Sequence, residues 1–329
     1  MIAIAALALV GCPRMARFSV THPARLNAAP FGNTMTVGYV NGPGEAANVI
    51  RSDLQTRIAN SLNPNLRLLE SAGGLTIGGN VPVYQYVENI ERESRTCTRQ
   101  VANGTNAQGV TQYRTESYGC TYVRRRGQAS LQVMLTVTST ADGRVIVAQS
   151  YQDSASDSTS AMQSPYESDE PAAIDGSEML HRITGRVVER FARIILPWPE
   201  IVQVRYEDCN GAQACRDGFD QVRQGNPQGA EQSFASVIGL AESSAAPVPP
   251  DQVERVSEAF YNRAVTRGYM GHYAESMADF LRATTMAPNE RRWVGQLQAV
   301  QQLQHEGEEL IQQGAVTNAT QSVQQAGTP

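Results

Sequence analysis

Hydrophobic residues recur with three different spacings along this chain of 329 residues, and each spacing predicts an element. A continuous apolar run, Ile2 to Val10, comes first. Residues 13–33 follow with Pro13, Pro23, Pro30 and small polar side chains, which predicts a flexible tether. Met35 to Val40 reads as a strand and Asn41-Gly42-Pro43-Gly44 as a turn. From Glu45 to Leu62, Ala46, Ile50, Leu54, Ile58 and Leu62 recur every four residues, the spacing of one buried helical stripe. Asn63-Pro64-Asn65 stops that helix, because proline disfavours helical backbone at the residue before it. Leu66 to Glu70 then gives a second strand, and the whole reads as a strand–helix–strand layer.

Val81 to Val123 predicts a long, charged hairpin with Glu88, Glu91, Arg92, Glu93 and Arg95 in its first arm. Ala129, Leu131, Val133, Leu135 and Val137 then alternate with Ser130, Gln132, Met134, Thr136 and Thr138, the period of a half-buried strand. Asp142-Gly143 turns the chain, and Arg144 to Tyr151 returns antiparallel. Asp153 to Asp175 is rich in Ser, Asp and Glu and predicts a mobile loop. Ser177 to Leu196 carries a wide apolar face through Met179, Leu180, Ile183, Val187, Phe191, Ile194 and Ile195, so a helix is expected up to Pro197. Ile201 to Tyr206 is expected to close this domain as its last strand. Beyond it the spacing is helical throughout, with an inserted linker at Ala241–Pro250, a final helix from Arg291 to about Gln313, and a Gln/Thr/Ala-rich tail expected to be disordered.

The expected class is therefore α+β, a mixed sheet with helices packed on it followed by an all-helical domain. Its divisions are 1–12 (signal segment), 13–33 (tether), 34–208 (α/β domain), 209–314 (helical domain) and 315–329 (tail). A formal net charge of −5 argues against nucleic acid as a partner. All the basic residues are arginine apart from four histidines. The order Leu9-Val10-Gly11-Cys12, ending an apolar run, resembles the lipobox of bacterial lipoproteins. The resemblance implies that Cys12 becomes the first residue of the mature chain and carries acyl chains such as palmitate, which anchor it to a membrane. Pro13 in place of Asp points to the outer membrane by the same analogy.

With Cys12 assigned to lipid, four cysteines remain, an even number that reads as two disulfides in an exported chain. Of the three pairings, spacing favours Cys97–Cys120, flanking the loop near Gly104 to Gly109, and Cys209–Cys215, closing a small loop. His22, His181, His272 and His305 are scattered, so no metal site is expected. The glycines at Gly73-Gly74 and Gly78-Gly79 lack a following Lys-Ser/Thr and read as a loop rather than a phosphate cradle. Glu167, Asp169, Glu170 and Asp175 cluster in a Ser-rich stretch and read as a solvated acidic run. No hydrolase or zinc-protease motif occurs, so neither catalytic residues nor a cofactor is expected.

Met35–Val40, Glu45–Leu62, Leu66–Glu70, Gln128–Tyr151 and Ser177–Leu196, in that order behind a lipobox, resemble one periplasmic α/β domain. It is shared by the curli secretion-channel lipoprotein, the lipoprotein activators of penicillin-binding proteins, and the N-terminal part of the Tol-system β-propeller protein. The charged 81–123 hairpin departs from the channel protein, whose membrane strands alternate apolar residues. Gly225, Ala230 and Phe234, then Ala264, Gly271, Tyr273, Phe280, Ala283 and Pro288, resemble two tetratricopeptide repeats. Together these imply a non-enzymatic outer-membrane lipoprotein whose α/β domain and repeat pair are both protein-binding modules for envelope proteins, the repeats through a concave surface, with self-association a further expectation. The alternative they imply is an oligomeric secretion channel.

Overall fold

The computed structural model describes residues 14–165, 167–242, 248–315 and 323–325; Cys12 and the lipobox lie outside them. In chain order the first half contains β1 (Arg14–His22), β2 (Thr34–Asn41), α1 (Gly44–Ala59), β3 (Arg67–Leu69), β4 (Leu75–Thr105), β5 (Thr111–Ser139), β6 (Val145–Ser164), β7 (Glu167–Ser168) and α2 (Gly176–Ile195). The second contains β8 (Trp198–Tyr206), α3 (Gln213–Arg223), α4 (Pro227–Glu242), α5 (Pro250–Tyr269), α6 (Tyr273–Met286), α7 (Arg291–Gln312) and β9 (Val323–Gln325). The class is α+β, as the spacing of apolar residues requires. The described chain divides into two compact units.

The first unit holds Phe31–Asn60 and Arg67–Ala192. Its sheet runs β3-β2-β4-β5-β6-β7, with β2 parallel to β3 and β4 and the remaining neighbours antiparallel. The β2–α1–β3 step is the expected strand–helix–strand layer. Ala46, Ile50, Leu54 and Ile58 form its buried stripe, but the helix ends at Ala59 and leaves Leu62 exposed. One face of the sheet is apolar through Leu75, Ile77, Leu131, Val133, Leu135 and Val137, all buried. α2 packs there, with Phe191 edge-on to Tyr151 and Arg186 ion-paired to Asp153 at 2.9 Å. The glycine loop serves close packing. Gly73 and Gly74 donate their N–H groups to the Thr36 and Thr34 hydroxyls, and a Cβ on Gly74 would collide with the Phe31 carbonyl.

Two expectations for this unit are corrected. The hairpin and the alternating strand are one antiparallel pair, β4 with β5, running from Leu75↔Ser139 to Thr105↔Thr111 with register shifts between Asn80 and Val83 and between Ala102 and Thr105. Most of the expected 153–175 loop is strand: β6 runs to Ser164, and Ser154 to Gln163 pair with β5 residue by residue. Its polar side chains hid a strand because the face away from α2 is open among the described residues, while Asp153 on the other face is neutralised by Arg186 and Arg190.

The second unit holds the described residues up to Pro30, Ser61–Leu66 and those from Arg193 onward. Here β1 lies between β8 and β9, antiparallel to both. The expected tether therefore contains a nine-residue strand, the expected last strand of the α/β domain pairs with it, and the tail contributes β9. Ala16, Phe18, Val20, Val204 and Tyr206 point into one core with Phe219, Phe234, Phe260, Tyr261, Phe280 and Trp293 of the helices. α3 with α4 and α5 with α6 form hairpins turned at Gly225 and Gly271, both at positive φ. Gly218 lets Phe234 press against α3, since an added Cβ would sit 2.6 Å from its ring. A buried network joins three helices: Asp279 accepts two bonds from Arg263 and one from Arg267, each 2.8 Å, and Arg267 reaches Glu231 at 2.7 Å. Asn63 and Asn65, expected only to stop a helix, also donate to the carbonyls of Gln313 and Gly314 at the end of α7.

Candidate functional site

The face of α5 that would hold a peptide in a free repeat groove is occupied by the chain itself. Tyr261 donates its hydroxyl to the Arg205 carbonyl at 3.1 Å. The Asn262 amide grips Glu207 on both sides of its backbone, accepting from the N–H and donating to the carbonyl, each at 2.8 Å. Tyr206 meets the Thr266 hydroxyl at 3.2 Å, and Phe18 stacks on Tyr269 with ring centroids 4.4 Å apart. An amide side chain that satisfies one backbone N–H and one C=O replaces a neighbouring strand. β8 thus sits in the groove as an extended peptide would, with β1 beside it. This face of α5 is therefore covered by β8 and is not open to a peptide.

At the end of β8 the Cys209–Cys215 bridge closes its loop, with Cα atoms 6.1 Å apart. Glu258 accepts from the Asn210 N–H of that loop at 3.2 Å. Burial pushes its carboxyl up to about 7, and the neighbouring Glu207 charge adds to the rise. Such a carboxyl holds a proton near neutrality. The other bridge, Cys97–Cys120, spans β4 and β5 with Cα atoms 5.8 Å apart. The two cysteines are diagonal rather than opposite, since Cys97 pairs with Tyr118 and Arg95 with Cys120.

At the far end of β1, His22 is bonded through both ring nitrogens, Nδ1 to Glu306 at 2.8 Å and Nε2 to Glu200 at 3.0 Å. Trp198 stacks on its ring at 4.3 Å, and Arg193 covers the indole at 4.4 Å. Carboxylates only accept, so two of them select the doubly protonated imidazolium. The Glu306 hydrogen bond raises His22 above its ordinary value, against an opposing desolvation. Burial disfavours the Glu306 charge, yet the His22 and Gln302 hydrogen bonds and the imidazolium outweigh it, so Glu306 titrates below the ordinary range. Neither partner was visible in the sequence, because Glu306 lies 284 positions from His22.

The sheet of the first unit offers a different surface. Its face away from α2 is an open trough of about 530 Å³, lined by Gln85, Val87, Gln128, Ser130, Ser154 and Ser156. These are neutral amide, hydroxyl and aliphatic groups that bind by hydrogen bonding and contact without charge. Among the described residues, β4 beyond Asn80 pairs only with β5, and β6 from Val145 to Met162 also pairs only with β5. Along these spans neither flank has a second strand beside it among the described residues, an arrangement that another strand could extend. Glu88 of the expected charged hairpin is paired with Arg125 at 2.6 Å and Glu91 with Arg126 at 3.3 Å. Of the acidic run, Asp175 caps α2 by accepting from the Ser177 N–H. No group of three or more metal-ligating side chains occurs among the described residues, and no described helix is long and apolar enough to cross a membrane.

No family model matches the chain, and no curated protein is similar to it in sequence. Among solved structures, the chain is similar to one from a PelC dodecamer, a single-substitution variant, of Paraburkholderia phytofirmans. The two are 10% identical, and the match covers 54% of this chain and 95% of that one with a TM-score of 0.23.

Proposed function

We propose that the protein is a non-enzymatic outer-membrane lipoprotein, held on the periplasmic side through Cys12, that acts as an assembly factor in an envelope complex. The lipobox sequence and two disulfides, which persist in an oxidising compartment, support the location. The observation that carries the assembly role is the β4–β5–β6 sheet, with its uncharged trough and two unpaired flanks. With that face of α5 covered by β8, the long sheet is the described surface that combines an uncharged trough with open flanks. The partner class is an envelope protein in secretion, cell-wall synthesis or appendage assembly.

A photo-reactive side chain at Val87 or Ser156 in living cells tests this, with one at exposed Leu281 of α6 as the comparison. The expected result is adducts with envelope proteins from the trough positions. Adducts from Leu281 alone would move the binding surface to the helices and overturn the assignment. The open flanks also favour a second reading, the oligomeric secretion channel, in which one copy extends the sheet of the next. Adducts between copies from the flank of β6, together with ring-shaped particles, would mark that reading. Exposed Glu91, Arg92, Glu93 and Arg95 stand against placing these strands in lipid.

A further inference from the structure

The outward face of the β1–β8 sheet has a composition unlike the face it buries. Side chains alternate, so Ala16, Phe18, Val204 and Tyr206 enter the core, while Met15, Arg17, Ile201, Gln203 and Arg205 point away from it and are exposed. Met15 is 41% exposed and Ile201 63%. The outward positions of β1 and β8, from Met15 to Thr21 and from Pro199 to Arg205, hold two arginines and no acid. Arg205 lies 3.5 Å from the Glu207 carboxylate, and no ion-pair partner of Arg17 occurs among the described residues.

This face begins almost at the lipid site. Pro13 alone separates Cys12 from Arg14, so the two Cα atoms lie at most ~7 Å apart. Each headgroup layer beside the hydrocarbon core is about 5–8 Å thick. Arg14 cannot drift on a loose leash, because it opens a strand whose Phe18 and Val20 are fully buried and it pairs with Asp208 at 2.6 Å. A lipid on Cys12 therefore brings the start of β1 to the headgroups, and the face of the sheet turned away from the core is uncovered among the described residues.

We infer that the outward face of β1 and β8, through Met15, Arg17, Ile201 and Arg205, rests on an anionic phospholipid surface. The arginines meet lipid phosphates, each contributing about fivefold to residence at an anionic leaflet. Met15 and Ile201 enter the boundary with the acyl region, as apolar side chains of interfacial elements do. The protein is then fixed in orientation as well as in place. This inference rests on the lipidation of Cys12 proposed above.

The test uses the full, lipidated chain in vesicles of phosphatidylethanolamine with phosphatidylglycerol, carrying a nitroxide at Gln203 through Gln203→Cys. Intact mass first establishes whether Cys12 carries lipid. With lipid present, the label is expected to lose most of the accessibility to a water-soluble nickel reagent that it shows in the lipid-free Cys12→Ala chain. Arg17→Glu with Arg205→Glu is expected to restore that accessibility without releasing the protein from the vesicles. A lipidated chain whose label stays as accessible as in the lipid-free chain overturns this inference and leaves the anchor intact. Protection that grows with the protein-to-lipid ratio assigns the face to a second copy and also overturns it. An unlipidated Cys12 removes the premise and the proposed function together.

Discussion

At the scale of single residues, the two kinds of site differ in how far the sequence reveals them. Cysteines announce themselves by number and spacing, so both bridges follow from the even remainder and the loops between them. His22 does not, because its meaning depends on Glu306 and Glu200, which the fold brings to it. Its stability contribution has a definite sign with pH. His22 titrates above its ordinary 6.5, so its contribution is full below that value and is lost as pH rises through the raised one. Glu306 titrates below its ordinary 4.5, so its contribution is full above that value and is lost as pH falls through the lowered one. The clasp is strongest between 4.5 and 6.5. Replacing His22 by alanine is expected to cost about 1–3 kcal/mol at about pH 6 and markedly less at about pH 9. Urea melts at the two values read this directly; an equal loss at both would show that the ring acts by packing alone.

At the scale of elements, α1, α2 and the alternating part of β5 were legible because one face of each is buried and the other is not. The start of β6, up to Tyr151, was expected as the return after Asp142-Gly143; its continuation to Ser164 was not legible, because neither face is apolar along most of that length. β1 was missed: Ala16, Phe18 and Val20 alternate with Arg17, Ser19 and Thr21, but flanking prolines give the stretch the composition of a tether, and it was read as one. β8 was recognised as a strand and given the wrong neighbour, since a strand pattern says nothing about which edge it joins. The structural claim for β1 is strong enough to measure. Phe18→Ala should cost about 3–5 kcal/mol of global stability, the loss expected for a fully buried phenylalanine. A tether residue would cost almost nothing, so a loss below about 1 kcal/mol in denaturant melts would contradict the assignment.

At the scale of the whole molecule, the α+β class and the change from mixed sheet to helices were legible, whereas the division into units was not. Sequence order suggests successive domains, but β1, the Ser61–Leu66 segment and β8 all join the helical unit. That arrangement covers the face of α5 expected to receive a partner, with β8 lying against it and β1 beside β8. It also makes Cys12 the decisive residue, since one position separates it from a buried strand. The most direct test is intact mass and membrane fractionation of the wild type beside Cys12→Ala, expressed with the native upstream region. The expected wild type is a mature chain that begins at Cys12, carries acyl mass and enters the outer-membrane fraction, beside a soluble mutant. Wild type and mutant both soluble and unmodified would contradict it, and would remove the oxidising compartment and the envelope role together.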